Sequence, residues 1–132
     1  MIITVSQVIQ QLGQSLNLTL DDIRRIKEIY AKIDIEALKE EARKRIRVVP
    51  WEPGQRAATG VLFEDVYPHL KEGYKAYSIY IDGNLVYFQY EAPQGGWMKT
   101  QEEMEKAAAS QVENIVDDLV SAKILERILG EL

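Results

Sequence analysis

The chain has 132 residues, 46% of them hydrophobic and 28% charged, with 16 Lys and Arg against 21 Asp and Glu for a net charge of −5. That composition suits one globular domain with its own core and excludes a disordered tail. The absence of cysteine excludes disulfides, thiolate zinc sites, iron–sulfur clusters and a cysteine nucleophile.

The opening MIITVSQVIQQLG reads as the start of a helix. Thr4 with Gln7 three residues later forms a capping box, and Ile3 is placed to staple onto Val8. Val5, Val8, Ile9 and Leu12 then recur at helical spacing, and Gly13 offers a left-handed stop. No basic segment leads the apolar residues and polar ones interrupt them, so neither a signal peptide nor a membrane anchor is expected.

Thr19 caps the next helix, with Asp21 and Asp22 in the first turn where the helix dipole favours negative charge. Ile23, Ile26, Tyr30, Ile33 and Ala37 fit one helix continuing to about residue 47. A fresh helix capped by Asp34, with Ile35, Leu38, Ala42 and Ile46 as its stripe, fits better because the stripe changes phase there. Helix is therefore expected within 4–47, with a break or bend near Asp34. Pro50 and Pro53 end it, and 48–60 reads as a loop. The following GVLFEDVYPHLKEG is ambiguous between a short strand and a helical turn.

The clearest strand signal is YKAYSIYIDGNLVYFQYEA, two β-rich runs flanking Asp82-Gly83-Asn84. This predicts a hairpin within 61–92. Whether the loop is Asp-Gly or Gly-Asn, Tyr77, Ile79 and Ile81 share a core face with Val86, Phe88 and Tyr90. The opposite face then carries Ser78, Tyr80, Leu85, Tyr87 and Gln89, too aromatic for open solvent, and calls for a covering helix or a partner.

After a turn at Gln94-Gly95-Gly96, Thr100 and Glu103 form another capping box and helix is expected over 100–129. Met104, Ala108, Val112, Ile115, Leu119 and Ala122 make one seam, broadened by Val116, Val120, Ile124 and Ile128. At about 1.5 Å per residue such a helix is about 45 Å long, wider than a compact domain of this size. It must protrude, bend near Ser121, or pack on another copy. The expected fold class is α+β, mainly helical, with one antiparallel β-hairpin and a long C-terminal helix in a single domain.

Functional signals are sparse. The stretch RKRIRVVPWEPGQR gathers Arg43, Lys44, Arg45 and Arg47 just before Trp51 and Arg56. Cations at the last turns of a helix complement its dipole without further function. The same residues fit an acidic protein surface, or phosphate and stacked bases, with nucleic acid ranked last because the chain is acidic. Charge is also uneven: residues 1–60 carry 10 Lys and Arg against 8 Asp and Glu, whereas 61–132 carry 6 against 13. Opposite halves suit a heterologous contact between copies, although solvated surface charge is the commoner explanation. Tyr80 and Tyr87, with Leu85 on the same expected face, are the best candidates for an interface, core packing being the commoner role for such rings.

Catalysis has the least support. His69, the single histidine, has no nucleophile or orienting group at a readable spacing. Glu113 and Asp117 share a helix face beside Asp118 without a His-bearing partner motif, and Gly95-Gly96 does not open into a basic helix as a phosphate loop would. No enzyme, catalytic residue, metal or cofactor is expected, and no membrane partner.

The apolar spacing of MIITVSQVIQQLG resembles the opening of the head-to-tail connector (adaptor) proteins of tailed phages. The resemblance covers about the first 13 residues. It implies a mainly helical subunit in a ring between portal and tail, with an extended element, here the hairpin 76–90, embracing its neighbour, and a virion or cytoplasmic setting. The link through Trp51-Glu-Pro-Gly departs from that pattern. The function expected is therefore a structural subunit that forms a homo-oligomer and contacts other assembly proteins. The alternative is a winged-helix-like DNA-binding protein, dimerising through its C-terminal helix, with Lys39, Arg43, Lys44 and Arg47 on the recognition helix. The acidic hairpin tip opposes that alternative.

Overall fold

A computed structural model describes residues 1–90 and 100–132. The element order is α1 (Val5–Gly13), α2 (Leu20–Ala31), α3 (Ile35–Arg45), β1 (Ile46–Pro50), α4 (Phe63–Val66), a 3-10 turn at Pro68–Glu72, β2 (Ala76–Ile81), β3 (Asn84–Tyr90) and α5 (Gln101–Glu131). The class is α+β, mainly helical. Its contacts gather in two compact units, one of 1–43 with 114–132 and one of 44–113, where composition suggested a single domain.

The first unit is built from amphipathic helices whose starts are local hydrogen-bond devices. At α1 Gln7 N donates to Thr4 Oγ1 and Thr4 N donates to Gln7 Oε1, closing the predicted box. Thr19 and Asp22 do the same at α2. The break near Asp34 is present: Asp34 Oδ1 accepts from Ala37 N and α3 begins at Ile35. Gly13 is not the left-handed stop expected of it. It remains in the helix, and Gln14 follows in the right-handed region with its N–H donating to Leu12 O. Val8, Leu12, Ile26, Ile33, Ala42, Val116, Val120, Ile124 and Ile128 form the buried apolar set of this unit.

On α5 the buried residues are Met104, Ala108, Val116, Val120, Ile124 and Ile128, spaced by multiples of four. They include the residues read as merely broadening the seam, whereas Ala122 is exposed and Ile115 and Leu119 are half-buried. α5 is one helix of 31 residues, and its length is accounted for by the division of the chain, since residues to Glu113 belong to one unit and those from Asn114 to the other.

The second unit holds a three-stranded antiparallel sheet in the order β1-β2-β3. Here the sequence reading needs two corrections. Residues 46–50, read as helix end and loop, form a strand in which Arg47 lies opposite Tyr80 and Val49 opposite Ser78. Helix ends at Arg45 because Ile46, Val48 and Val49 are β-branched and find a ladder on β2, a long-range partner that outweighs local helix propensity.

The second correction concerns the hairpin faces. The turn is Asp82-Gly83, both at positive φ (51° and 83°), flanked by Ile81 opposite Asn84. Tyr80 then faces Leu85, but Ile79 faces Tyr87, so Val86 is an extra residue on β3. A bulge of this kind reverses which face every later side chain takes. Ser78 consequently faces Phe88 and Ala76 faces Tyr90, while Tyr77 and Ile79 share a face with Gln89 and Tyr87. Val86, expected in the core, is 49% exposed.

Both sheet faces are covered. On the face of Ala76, Ser78 and Tyr80, the buried Phe63 and Leu70 pack with Ala76, joined by Trp51, Ala57, Tyr67, Leu85, Phe88 and Tyr90. The Phe88 ring stacks with Phe63 at 4.5 Å and with Tyr67 at 5.0 Å. On the other face, Met104 and Ala108 of α5 bound an apolar cavity of about 190 Å³ together with Val48, Pro50 and Tyr77. The ambiguous 60–73 stretch is thus the cover of one face. The expected turn at Gln94-Gly95-Gly96 lies outside the described residues.

Candidate interaction surface

The nine residues expected to form an interface do not share one surface. Leu85 and Trp51 pack into the cluster of Phe63, Leu70 and Ala76. Tyr80, on the same face, lies under the Arg47 guanidinium, which sits 5.0 Å from its ring centroid. Tyr87 is on the opposite face, where its hydroxyl donates to Gln89 Oε1 at 2.8 Å. The Tyr77 hydroxyl donates to the same oxygen at 3.0 Å. Burial, with the neighbouring Tyr87 hydroxyl, pushes the Tyr77 phenol above the usual tyrosine range. The tyrosines therefore read mainly as packing within the second unit.

The basic run is divided by the helix-to-strand change at residue 46. Arg43 and Lys44 are exposed on α3. Arg45 closes on the hairpin tip: its Nη2 and Nε donate to both carboxylate oxygens of Asp82 at 2.8–3.2 Å, and Asp82 N donates to Arg45 O at 3.0 Å. The hydrogen bonds and charge of Arg45 hold the Asp82 carboxyl below the usual carboxylate range, and those of Asp82 raise Arg45. Arg56 is turned into its own loop, with Nη1 donating to Gly60 O at 2.7 Å. Arg45, Arg47 and Arg56 thus each have an intramolecular partner, which favours the structural explanation of this stretch over a phosphate-binding one.

His69 Nδ1 lies 3.1 Å from Glu72 Oε2, and its ring stacks on Tyr74 at 5.4 Å. Among the described residues no group of three or more His, Asp or Glu side chains is arranged to hold a metal ion. No helix among them is long and apolar enough to cross a membrane.

What sequence reasoning missed is the outer edge of β3. β3 pairs with β2 alone in the described sheet, so its other side presents ladder groups. Asn84–Tyr90 reads NLVYFQY, with no charged residue and no proline. The other edge strand, β1, carries Arg47 and ends on Pro50, two devices that discourage strand addition. The β3 edge has the bulge at Val86 as its one guard, and that bulge turns an apolar side chain to solvent. No protein-family model, characterised protein or solved structure matches this chain.

Proposed function

We propose that the chain is a non-enzymatic structural subunit that self-assembles, and that the hairpin is the element it offers to another copy. The observation that carries this reading is the uncharged outer edge of β3 with Val86 exposed on it. Backbone N–H and C=O groups along such an edge are met most fully by another strand, and side chains without charge let two acidic chains approach there without repulsion. The finer form, a component of a virion head-to-tail connector, rests on the resemblance of residues 1–13 and requires a ring.

Val86→Lys places a charge on the edge without touching the buried faces. It is expected to lower the solution mass measured by light scattering while leaving the far-ultraviolet circular dichroism unchanged. An unchanged mass removes the β3 edge from the assembly. The mass of the unaltered chain separates a two-copy strand pairing from the higher multiples a ring needs.

A further inference from the structure

Among the described residues, three buried polar side-chain atoms of the second unit have no hydrogen-bond partner: Trp51 Nε1, Glu64 Oε1 and Ser78 Oγ. Chain topology brings Trp51 and Ser78 to one face of the sheet and places Glu64 on α4, whose Phe63 packs on that face. Val49 lies opposite Ser78, and Trp51 N donates to Ala76 O at 2.9 Å, two residues further along each strand. Trp51 and Ser78 are therefore diagonal neighbours on the face that Phe63 and Leu70 cover, within reach of a side chain as large as indole. Phe88, opposite Ser78 on the other strand, carries the Phe63 ring at 4.5 Å, and Glu64 is the next residue. Glu64 is only 9% exposed, and its second carboxylate oxygen accepts from Gly54 N at 3.3 Å, three residues beyond Trp51.

The donor and acceptor inventory narrows what meets these atoms. An indole N–H only donates, a carboxylate only accepts, and a hydroxyl does either. A cation cannot accept from Trp51, and an anion is repelled by Glu64. A neutral molecule that accepts from one and donates to the other suits both, and in a packed interior the smallest such molecule is water. We infer that Trp51 and Glu64 hold a buried water between them, with Ser78 as its third contact. The water ties α4 to the sheet it covers, and this site is independent of the proposed assembly edge.

The test is a water-selective nuclear Overhauser experiment on the ¹⁵N-labelled full chain, with Trp97→Phe used to assign the two indole signals. The Trp51 indole proton is expected to show a cross-peak to long-lived water. Ser78→Ala keeps the peak, which separates a bound water from relay through the serine hydroxyl, and Glu64→Leu loses it. Absence of the peak in the unaltered protein overturns the inference, as does its loss in Ser78→Ala. Should Glu64→Leu fail to fold, the other two measurements still decide.

Discussion

Arg45 and Asp82 bind one another through both side chain and backbone, so the last residue of α3 is fastened to the tip of the hairpin. Asp82 sits at φ 51°, a left-handed conformation that Asp tolerates better than most residues and that the turn requires. Because the folded carboxyl titrates below its ordinary value, the latch is fully present above the unfolded value near 3.9 and is lost as pH falls through the lower folded value.

Two measurements follow from that sign. A carboxyl-detected titration is expected to place Asp82 below the ordinary carboxylate range, and Arg45→Ala returns it to that range. Asp82→Asn keeps the turn but is expected to speed amide exchange at the tip of the hairpin.

Phe63 is 4% exposed and stacked on Phe88. Phe63→Ala is expected to cost about 3–5 kcal/mol by the usual scale for large buried rings. Urea denaturation checks it; a loss under about 1 kcal/mol would mean that α4 does not cover the sheet as described.

The raised Tyr77 phenol carries the opposite sign to Asp82. Burial disfavours its ionised form, so the folded protein loses stability as pH rises past the unfolded value of about 10. Tyr77→Phe is expected to reduce this alkaline loss, read as a flatter dependence of Tm on pH between neutrality and the alkaline limb.

In the cation–π pair of Arg47 and Tyr80 the arginine is exposed and the tyrosine half-buried. Arg47→Ala is expected to cost about 0.5–1 kcal/mol of stability. In mobility-shift assays the chain is expected to retain no DNA even at low salt; a shift that weakens steeply with salt and with Arg43→Ala would restore the DNA-binding reading.

Legibility followed the range of the interaction. Thr4 with Gln7 and Thr100 with Glu103 are bonded within one helical turn, and both boxes predicted from the sequence close; Thr19, predicted only as a cap, forms a box with Asp22 as well. Asp82-Gly83 was equally readable, because its demand for positive φ is local. β1 was not, since RKRIRVVP favours helix until β2, thirty residues on, supplies a ladder. The bulge at Val86 was invisible for a related reason: alternation assigns faces only while the register is unbroken, and a single extra residue moved Tyr87 and Phe88 to the faces opposite those expected. Tyr80 and Tyr87, expected on one face, therefore lie on opposite faces.

The most direct test of self-assembly is amide hydrogen exchange along β3, read at dilute and at high protein concentration. If copies join through this edge, amides of Leu85–Tyr90 that point away from β2 slow as concentration rises, while those bonded to β2 do not change. Exchange along β3 that is the same at every concentration would contradict the account.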